Sequence, residues 1–236
     1  MDCGVVVVAA GTGKRLGRSE NKAMVQLGDR PLLFHCLERF AAVKEVKEIV
    51  LVVHADDRAE LSEGRNQELL HEFGVERMVE GGARRQDSVL NGLYALSSKL
   101  SEGAMIHDAA RPFVSPGLVS VLAKSLSKNA GIVPAIRAMS TVKRVGQDEF
   151  VSRTENRKDF WLAQTPQVAR RDILIDCLER VDRESLAVTD DAQALESCGF
   201  RVKVIEDSRW NFKITTPEDL ALAELVLKQR PWEIKR

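Results

Sequence analysis

An excess of charge of either sign is missing from this chain: 35 Lys and Arg balance 35 Asp and Glu, and the formal net charge is zero. Without a basic surplus there is no general pull toward nucleic acid or an anionic membrane, so neither is an expected partner, and any preference for anions must sit in local clusters. Cysteine is sparse. The four, Cys3, Cys36, Cys177 and Cys198, are scattered with no C-x-x-C pair, which argues against a zinc site and reads as small apolar residues of a reducing compartment. Long apolar runs are absent as well. The opening run at 5–9 is far too short to span a bilayer and has no basic flank of the kind a signal peptide carries, so the expected location is cytoplasmic. No low-complexity tract, long linker or internal repeat divides the 236 residues, which read as one domain over 1–236.

What is present is alternation. Aliphatic runs at 4–9, 48–53, 76–79, 104–107, 131–135 and 201–205 read as strands. Amphipathic stretches at 31–42, 58–73, 88–100, 116–128, 170–181 and 190–198 read as helices between them. Continuous apolar strands joined by helices predict an α/β fold with a mostly parallel twisted sheet flanked by helices. Ser115-Pro116 and Thr216-Pro217 each put a capping hydroxyl before a proline suited to the first helical position. One region, 140–160, breaks the rhythm and reads as a two-stranded hairpin turning at Gly146, with polar residues outward on both arms. Such a ribbon is marginal alone, so either a neighbouring subunit or the parent domain should support it.

Four clusters follow candidate strands. The first, Ala10-Gly11-Thr12-Gly13-Lys14-Arg15, with Lys22 further on, is a glycine-rich turn loaded with cations. Glycines let backbone N–H groups converge on one anion, and the cations suit a polyphosphate; a tight connection with solvated charges is the plainer alternative. The third glycine, Gly17, is one position late for a dinucleotide fingerprint, and Lys14-Arg15 lacks the Ser/Thr of a P-loop, which sets a nicotinamide enzyme aside. The second cluster, Gly81-Gly82-Ala83-Arg84-Arg85-Gln86-Asp87-Ser88, is a further glycine–arginine loop or a simple turn with a solvated face. The third, His107-Asp108-Ala109-Ala110-Arg111-Pro112, offers Asp108 as a carboxylate for Mg²⁺ shared with substrate phosphates or as a loop cap, and His107 as a satisfied strand-end histidine. The fourth puts Lys213 in an apolar, strand-like run, where it either meets an anionic substrate or snorkels to solvent. No Ser/His/Asp or Cys/His nucleophile emerges. A phosphate oxygen is already anionic near neutral pH and needs charge neutralisation and positioning rather than a strong base, so the clusters suit phosphoryl or nucleotidyl transfer onto a phosphate.

These segments, together with Thr165-Pro166-Gln167 and Thr189-Asp190-Asp191-Ala192, occur in the order of a known family. The chain resembles the 2-C-methyl-D-erythritol 4-phosphate cytidylyltransferases of the non-mevalonate isoprenoid pathway over nearly its whole length. The resemblance implies a Rossmann-like nucleotidyltransferase fold, a projecting β-arm at 140–160 used for homodimerisation, and CTP and a sugar-alcohol phosphate as substrates. It implies that Ala10, Gly11, Gly13 and Arg15 hold the triphosphate, and that Arg15 and Lys22 stabilise charge on the pentacoordinate α-phosphate. It further places Gly82 and Ser88 at cytosine and Mg²⁺ on Asp108. Arg157 and Lys213 position the acceptor phosphate, with Arg111, Thr141, Thr165 and Thr189 assisting; Thr141 and Arg157 lie in or beside the arm and are candidates for donation by a partner subunit. Two departures stand out. Asn21 occupies the position before Lys22 where the family often has proline, and Ala83 replaces an acidic residue common after the glycine pair. The competing readings are a ribitol 5-phosphate cytidylyltransferase, a sugar-phosphate nucleotidylyltransferase using another base, and a noncatalytic nucleotide-binding regulator.

Overall fold

The computed structural model describes residues 1–11 and 22–229. Its frame follows from strands that are apolar on both faces. In β1 (Cys3–Val8), Val5 and Val7 enter one core cluster and Val6 the opposite one. The chain continues through two short strands, β2 (Gln26–Leu27) and β3 (Arg30–Pro31), into α1 (Leu32–Ala41). β4 (Val46–Val53) repeats the division: Ile49, Leu51 and Val53 face one way, Val50 and Val52 the other. There follow α2 (Arg58–Leu61), α3 (Gly64–Glu72), β5 (Val75–Glu80), α4 (Arg85–Ala95), β6 (Gly103–Asp108), α5 (Pro116–Leu126) and β7 (Gly131–Arg137). β8 (Val142–Val145) and β9 (Val151–Glu155) precede β10 (Trp161–Ala163) and β11 (Gln167–Arg170). The described chain closes with α6 (Arg171–Arg183), α7 (Asp191–Ser197), β12 (Val202–Glu206) and α8 (Pro217–Gln229).

The main sheet has eight strands in the order β10-β7-β11-β6-β1-β4-β5, with β12 pairing β7. β5, β4, β1 and β6 run parallel, as do β7 and β12. Between β6 and β7 a single antiparallel line is split in two. β11 pairs with β6 and with the start of β7, and β10 pairs with the end of β7, where Ala163 opposes Ala135. The break at Gln164-Thr165-Pro166 lets the chain bulge toward the ends of the parallel strands. Helices α1 and α5 cover one face through Leu33, Phe34, Leu37, Phe40, Leu118 and Leu122, and α4, α6 and α7 cover the other. A third, smaller cluster joins Val25 and Leu27 to Ile214 and to Leu220, Ala223 and Val226 of α8. That cluster seats the turn carrying Lys22 and the segment carrying Lys213 on one apolar pad.

The structure departs from the sequence-based elements in several places. The helix expected over 58–73 is broken between α2 and α3, where Gly64 takes φ +53°, a left-handed conformation that a β-carbon disfavours. The helix expected from 88 begins at Arg85, because the Asp87 carboxylate accepts the Arg84 N–H at 3.0 Å and opens the helix earlier. β10 and β11 lie where no strand was expected. Lys213 lies in no strand; its segment is extended and tied by the Ile214 N–H to the Ala110 carbonyl at 2.9 Å. Ser115 does cap α5, accepting from the Leu118 N–H at 3.0 Å. The hairpin is present as β8 and β9 in a two-stranded sheet of their own.

Candidate active site

Loops leaving β1, β5 and β6 at their C-terminal ends are pinned by bonds that extend the sheet ladder past the strands. Ala9 N–H donates to Val52 O at 2.7 Å, Gly81 N–H to Val53 O at 2.9 Å, and Ala109 N–H to Val8 O at 3.1 Å. With Lys22 and the Lys213–Thr215 segment they enclose a cleft of about 440 Å³. The carboxyl ends of parallel strands are where α/β sheets bind ligands. Close backbone approach shapes this end: a Cβ on Gly81 would lie 2.3 Å from the Ala10 Cβ, and one on Gly82 would lie 2.3 Å from the Asp87 Cβ. Any side chain at 81 would therefore displace the first loop.

Asp108, the last residue of β6, is the electrostatic centre. Lys213 Nζ donates to its Oδ2 at 2.8 Å, Arg85 Nε stands 3.5 Å from Oδ1, and Arg111 Nε stands 3.8 Å from Oδ2. Burial alone would raise this carboxyl's pKa, but the Arg85 and Lys213 charges, with the Lys213 hydrogen bond, hold it well below the usual carboxylate range. Arg85 is itself anchored: its two terminal nitrogens reach the buried Asp191 carboxylate at 3.0 and 2.8 Å. Lys22, at the start of a single 3₁₀ turn (Lys22–Met24), also lines the cleft.

Behind Asp108 lies a closed hydrogen-bond chain. The Asp108 N–H donates to Thr165 Oγ1 at 3.1 Å, so the Thr165 hydroxyl proton is free for His107 Nδ1 at 3.0 Å. His107 Nε2 lies 3.0 Å from the Arg111 carbonyl, which can only accept, so Nε2 carries the proton and Nδ1 is the acceptor. Burial lowers the His107 pKa to about 4, keeping the ring neutral in that tautomer. Both ring nitrogens are thus occupied, and His107 is no general base.

The expected site residues fall into four groups. Ala10, Gly11, Lys22, Gly82, Ser88, Asp108 and Lys213 all line the cleft. Ser88 Oγ accepts the Gly82 N–H at 3.0 Å and donates to Arg84 O, fixing the second loop. Arg111 and Thr165 stand just behind: Arg111 donates to the Asn211 carbonyl at 2.8 Å, and Thr165 is buried between His107 and Asp108. Thr189, Thr141 and Arg157 are exposed and are not cleft-lining residues; Thr189 bonds Gln193 at the head of α7, and Arg157 donates to the Met139 carbonyl at 2.8 Å beside the hairpin. Gly13 and Arg15, like Asn21, lie outside the described residues. Arg85 and Asp191 complete the cluster around Asp108 without having been singled out; their only sequence signals are a second arginine after the glycine pair and a second aspartate after Thr189.

A mostly parallel sheet whose strand ends gather lysine and arginine around one ionised carboxylate defines a nucleotidyltransferase. The chain belongs to the 2-C-methyl-D-erythritol 4-phosphate cytidylyltransferase family, whose profile matches residues 3–229. A relative of that name from Clostridium botulinum (strain Langeland) is 38% identical over 228 residues, covering 95% of this chain and 97% of its own length. Another from Geobacillus thermodenitrificans is 37% identical over 98% of this chain and 99% of its own. Among solved structures, the 4-diphosphocytidyl-2C-methyl-D-erythritol synthase of Anaerococcus prevotii superposes with a TM-score of 0.85 at 30% identity, covering 96% of each chain. The Thermus thermophilus cytidylyltransferase gives 0.78 at 31% identity, covering 97% of this chain and 100% of its own.

Proposed function

We propose that this enzyme transfers CMP from CTP to the phosphate of 2-C-methyl-D-erythritol 4-phosphate, releasing pyrophosphate and forming 4-diphosphocytidyl-2-C-methyl-D-erythritol for isoprenoid precursor synthesis. The observation that carries this reading is the grip of Lys213, Arg85 and Arg111 on one ionised Asp108, in a cleft that Lys22 also lines and behind which His107 has both ring nitrogens occupied. An acceptor phosphate oxygen forms the new bond to the α-phosphorus, the α–β bridging bond breaks, and pyrophosphate leaves with its electron pair. No proton need be removed from the attacking oxygen, so cations and alignment do the catalysis.

In this reading the backbone at Ala10, Gly11 and Gly13 cradles the triphosphate, and Arg15 and Lys22 stabilise charge developing at the α-phosphate. Gly82 and Ser88 hold cytosine, where the tight Gly81–Ala10 and Gly82–Asp87 approaches leave little space for a purine. Lys213 orients the acceptor phosphate. Arg111 and Thr165 act by shaping the wall behind Asp108. The donor set fits magnesium: Asp108 is an ionised carboxylate on the cleft, and Mg²⁺ is commonly held by one or two carboxylates together with substrate phosphates. Asp108 would hold that ion, which when bound neutralises phosphate charge as a Lewis acid.

The hairpin supports assembly as a homodimer. Val145, Phe150 and Val151 are exposed on it, with Met139 and Leu162 at its base, an apolar set that a second copy would cover. Thr141 and Arg157 would then serve the partner's cleft, while Thr189 assists acceptor binding in its own chain. Among the described residues no helix is long and apolar enough to cross a membrane, and the location read for this enzyme is cytoplasmic. The direct test is pyrophosphate release from CTP and Mg²⁺ with methylerythritol 4-phosphate and, separately, ribitol 5-phosphate. Strong preference for the first is expected; preference for the second, or release with neither, overturns the assignment. Sedimentation at micromolar concentration tests the dimer, which a monomer would refute.

A further inference from the structure

Arg85 uses its three nitrogens in an uneven way. It opens α4, sends both terminal nitrogens to Asp191 at the first position of α7, and turns only Nε toward Asp108 Oδ1. Asp191 is in turn fixed at a well-held helix head. Asp190 caps α7 by accepting the Gln193 N–H at 2.9 Å. Gln167 on β11 donates to Asp190 Oδ2 at 2.9 Å and accepts the Ala192 N–H at 2.8 Å. The result is a continuous polar brace from β11 through α7 and α4 to the tip of β6. Its last member holds one carboxylate oxygen of Asp108 while Lys213 holds the other.

We propose that Arg85 is a positioning residue for the transfer reaction, with Asp191 as its anchor. The pair fixes the plane of the Asp108 carboxylate, so that Oδ2 is presented to Lys213 in one orientation. With its terminal nitrogens turned to Asp191 and its Nε to Asp108, Arg85 is assigned to holding Asp108 rather than to gripping the triphosphate, although it lines the cleft. A lysine cannot replace it: a single ammonium lacks the fork that meets Asp191 and the side nitrogen that faces Asp108. This inference rests on the functional reading above and adds a residue pair to it.

The test compares Arg85→Gln, Arg85→Lys, Asp191→Asn and the double variant Arg85→Gln/Asp191→Asn. Measurements are kcat, KM for each substrate, melting temperature, and CTP affinity by calorimetry without metal. Arg85→Gln is expected to lower kcat about 10- to 100-fold, the usual scale for residues that orient a functional carboxylate. Metal-free CTP affinity should stay within about threefold, since no direct phosphate contact is lost. The double variant should fall no more than about twofold below Arg85→Gln, because the two residues act as a unit. Arg85→Lys should not restore kcat; being a milder change, it also keeps the test decisive should Asp191→Asn fold poorly. A merely structural role would lower the melting temperature and leave kcat of the folded enzyme near wild type, which overturns the proposal. So would a tenfold or greater loss of metal-free CTP affinity, rescue by lysine, or additive losses. Absence of wild-type turnover overturns both readings, whereas wild-type turnover left unaltered in Arg85→Gln overturns this one alone.

Discussion

The cleft wall and the β8–β9 hairpin contain the same charge motif in two different settings. In the wall, Asp108 sits among Arg85, Lys213 and Arg111 with its side chain 13% exposed, and the Asp191 carboxylate behind it is 3% exposed. In the hairpin, Glu155 accepts from Arg144 at 2.7 Å and Arg153 at 2.8 Å, but those arginine side chains are 61% and 63% exposed. The two acids are alike in exposure, Glu155 at 10%, but water reaches the hairpin arginines more fully than the wall's Arg85, Lys213 and Arg111, at 31%, 38% and 11%. An acid between cations at the surface contributes little beyond local stiffness, whereas the buried group cannot lose a member without leaving an uncompensated charge. Charge pattern alone therefore does not mark a site; the placing of its cations, less exposed and gathered at the strand ends, does.

The sharpest break on the cleft side is Lys22→Ala, expected to lower kcat about a hundredfold or more, as for loss of a transition-state donor, with the fold intact by circular dichroism. Near-wild-type turnover would remove Lys22 from the chemistry. Next is the pH dependence of the wall. His107 has a folded pKa of about 4 against 6.5 for the free side chain, so the unfolded chain takes up the proton first as pH falls. Stability present above about pH 6.5 is thus lost progressively down to about pH 4, by on the order of 3 kcal/mol. Asp108, held below the usual carboxylate range, stays ionised through this window and adds its own loss only at lower pH. His107→Gln, whose amide can keep the bond to the Arg111 carbonyl, should flatten the melting-temperature profile between pH 4 and 6.5; an unchanged profile would contradict the neutral buried ring.

On the hairpin side, Arg157→Ala should raise KM for the acceptor about tenfold while leaving KM for CTP unchanged, the loss of one exposed ionic contact to a phosphate. Unchanged acceptor kinetics would deny it that role. Smallest of all, Glu155→Gln should leave kcat unaltered and the melting temperature within about 2 °C, as for other surface ion pairs. A large effect there would erase the contrast between the two settings.

Much of this was readable from residues. The apolar run opening the chain became β1, the run before Asp108 became β6, Ser115 capped α5, and Gly146 turned the hairpin. The loops bearing Ala10, Gly82, Asp108 and Lys213 met because each follows or adjoins the same end of the sheet. What escaped was non-local. β11 is only Gln167-Val168-Ala169-Arg170, too short for its alternation to announce a strand, and its antiparallel place depends on neighbours far away in the chain. Arg84 and Arg85 are adjacent in sequence and chemically alike, yet the first bonds Asp87 and Asp182 at the surface while the second turns toward Asp191. Both line the cleft, and the packing of α7 against α6 and β7 sets Asp191 where Arg85, which also reaches Asp108, can meet it.

The hairpin leaves the sheet from a place that closes behind it. β7 and β10 are antiparallel neighbours, Arg137 opposes Trp161, and the Ala138 N–H donates to the Phe160 carbonyl at 3.0 Å. Everything from 139 to 159 is thus a cassette spliced into an ordinary strand reversal. A short turn joining Ala138 to Phe160 would delete it while keeping every rung of the main ladder, and a longer or differently charged cassette would fit the same two anchor points. The apolar surface the hairpin exposes can be exchanged without rewriting the main sheet.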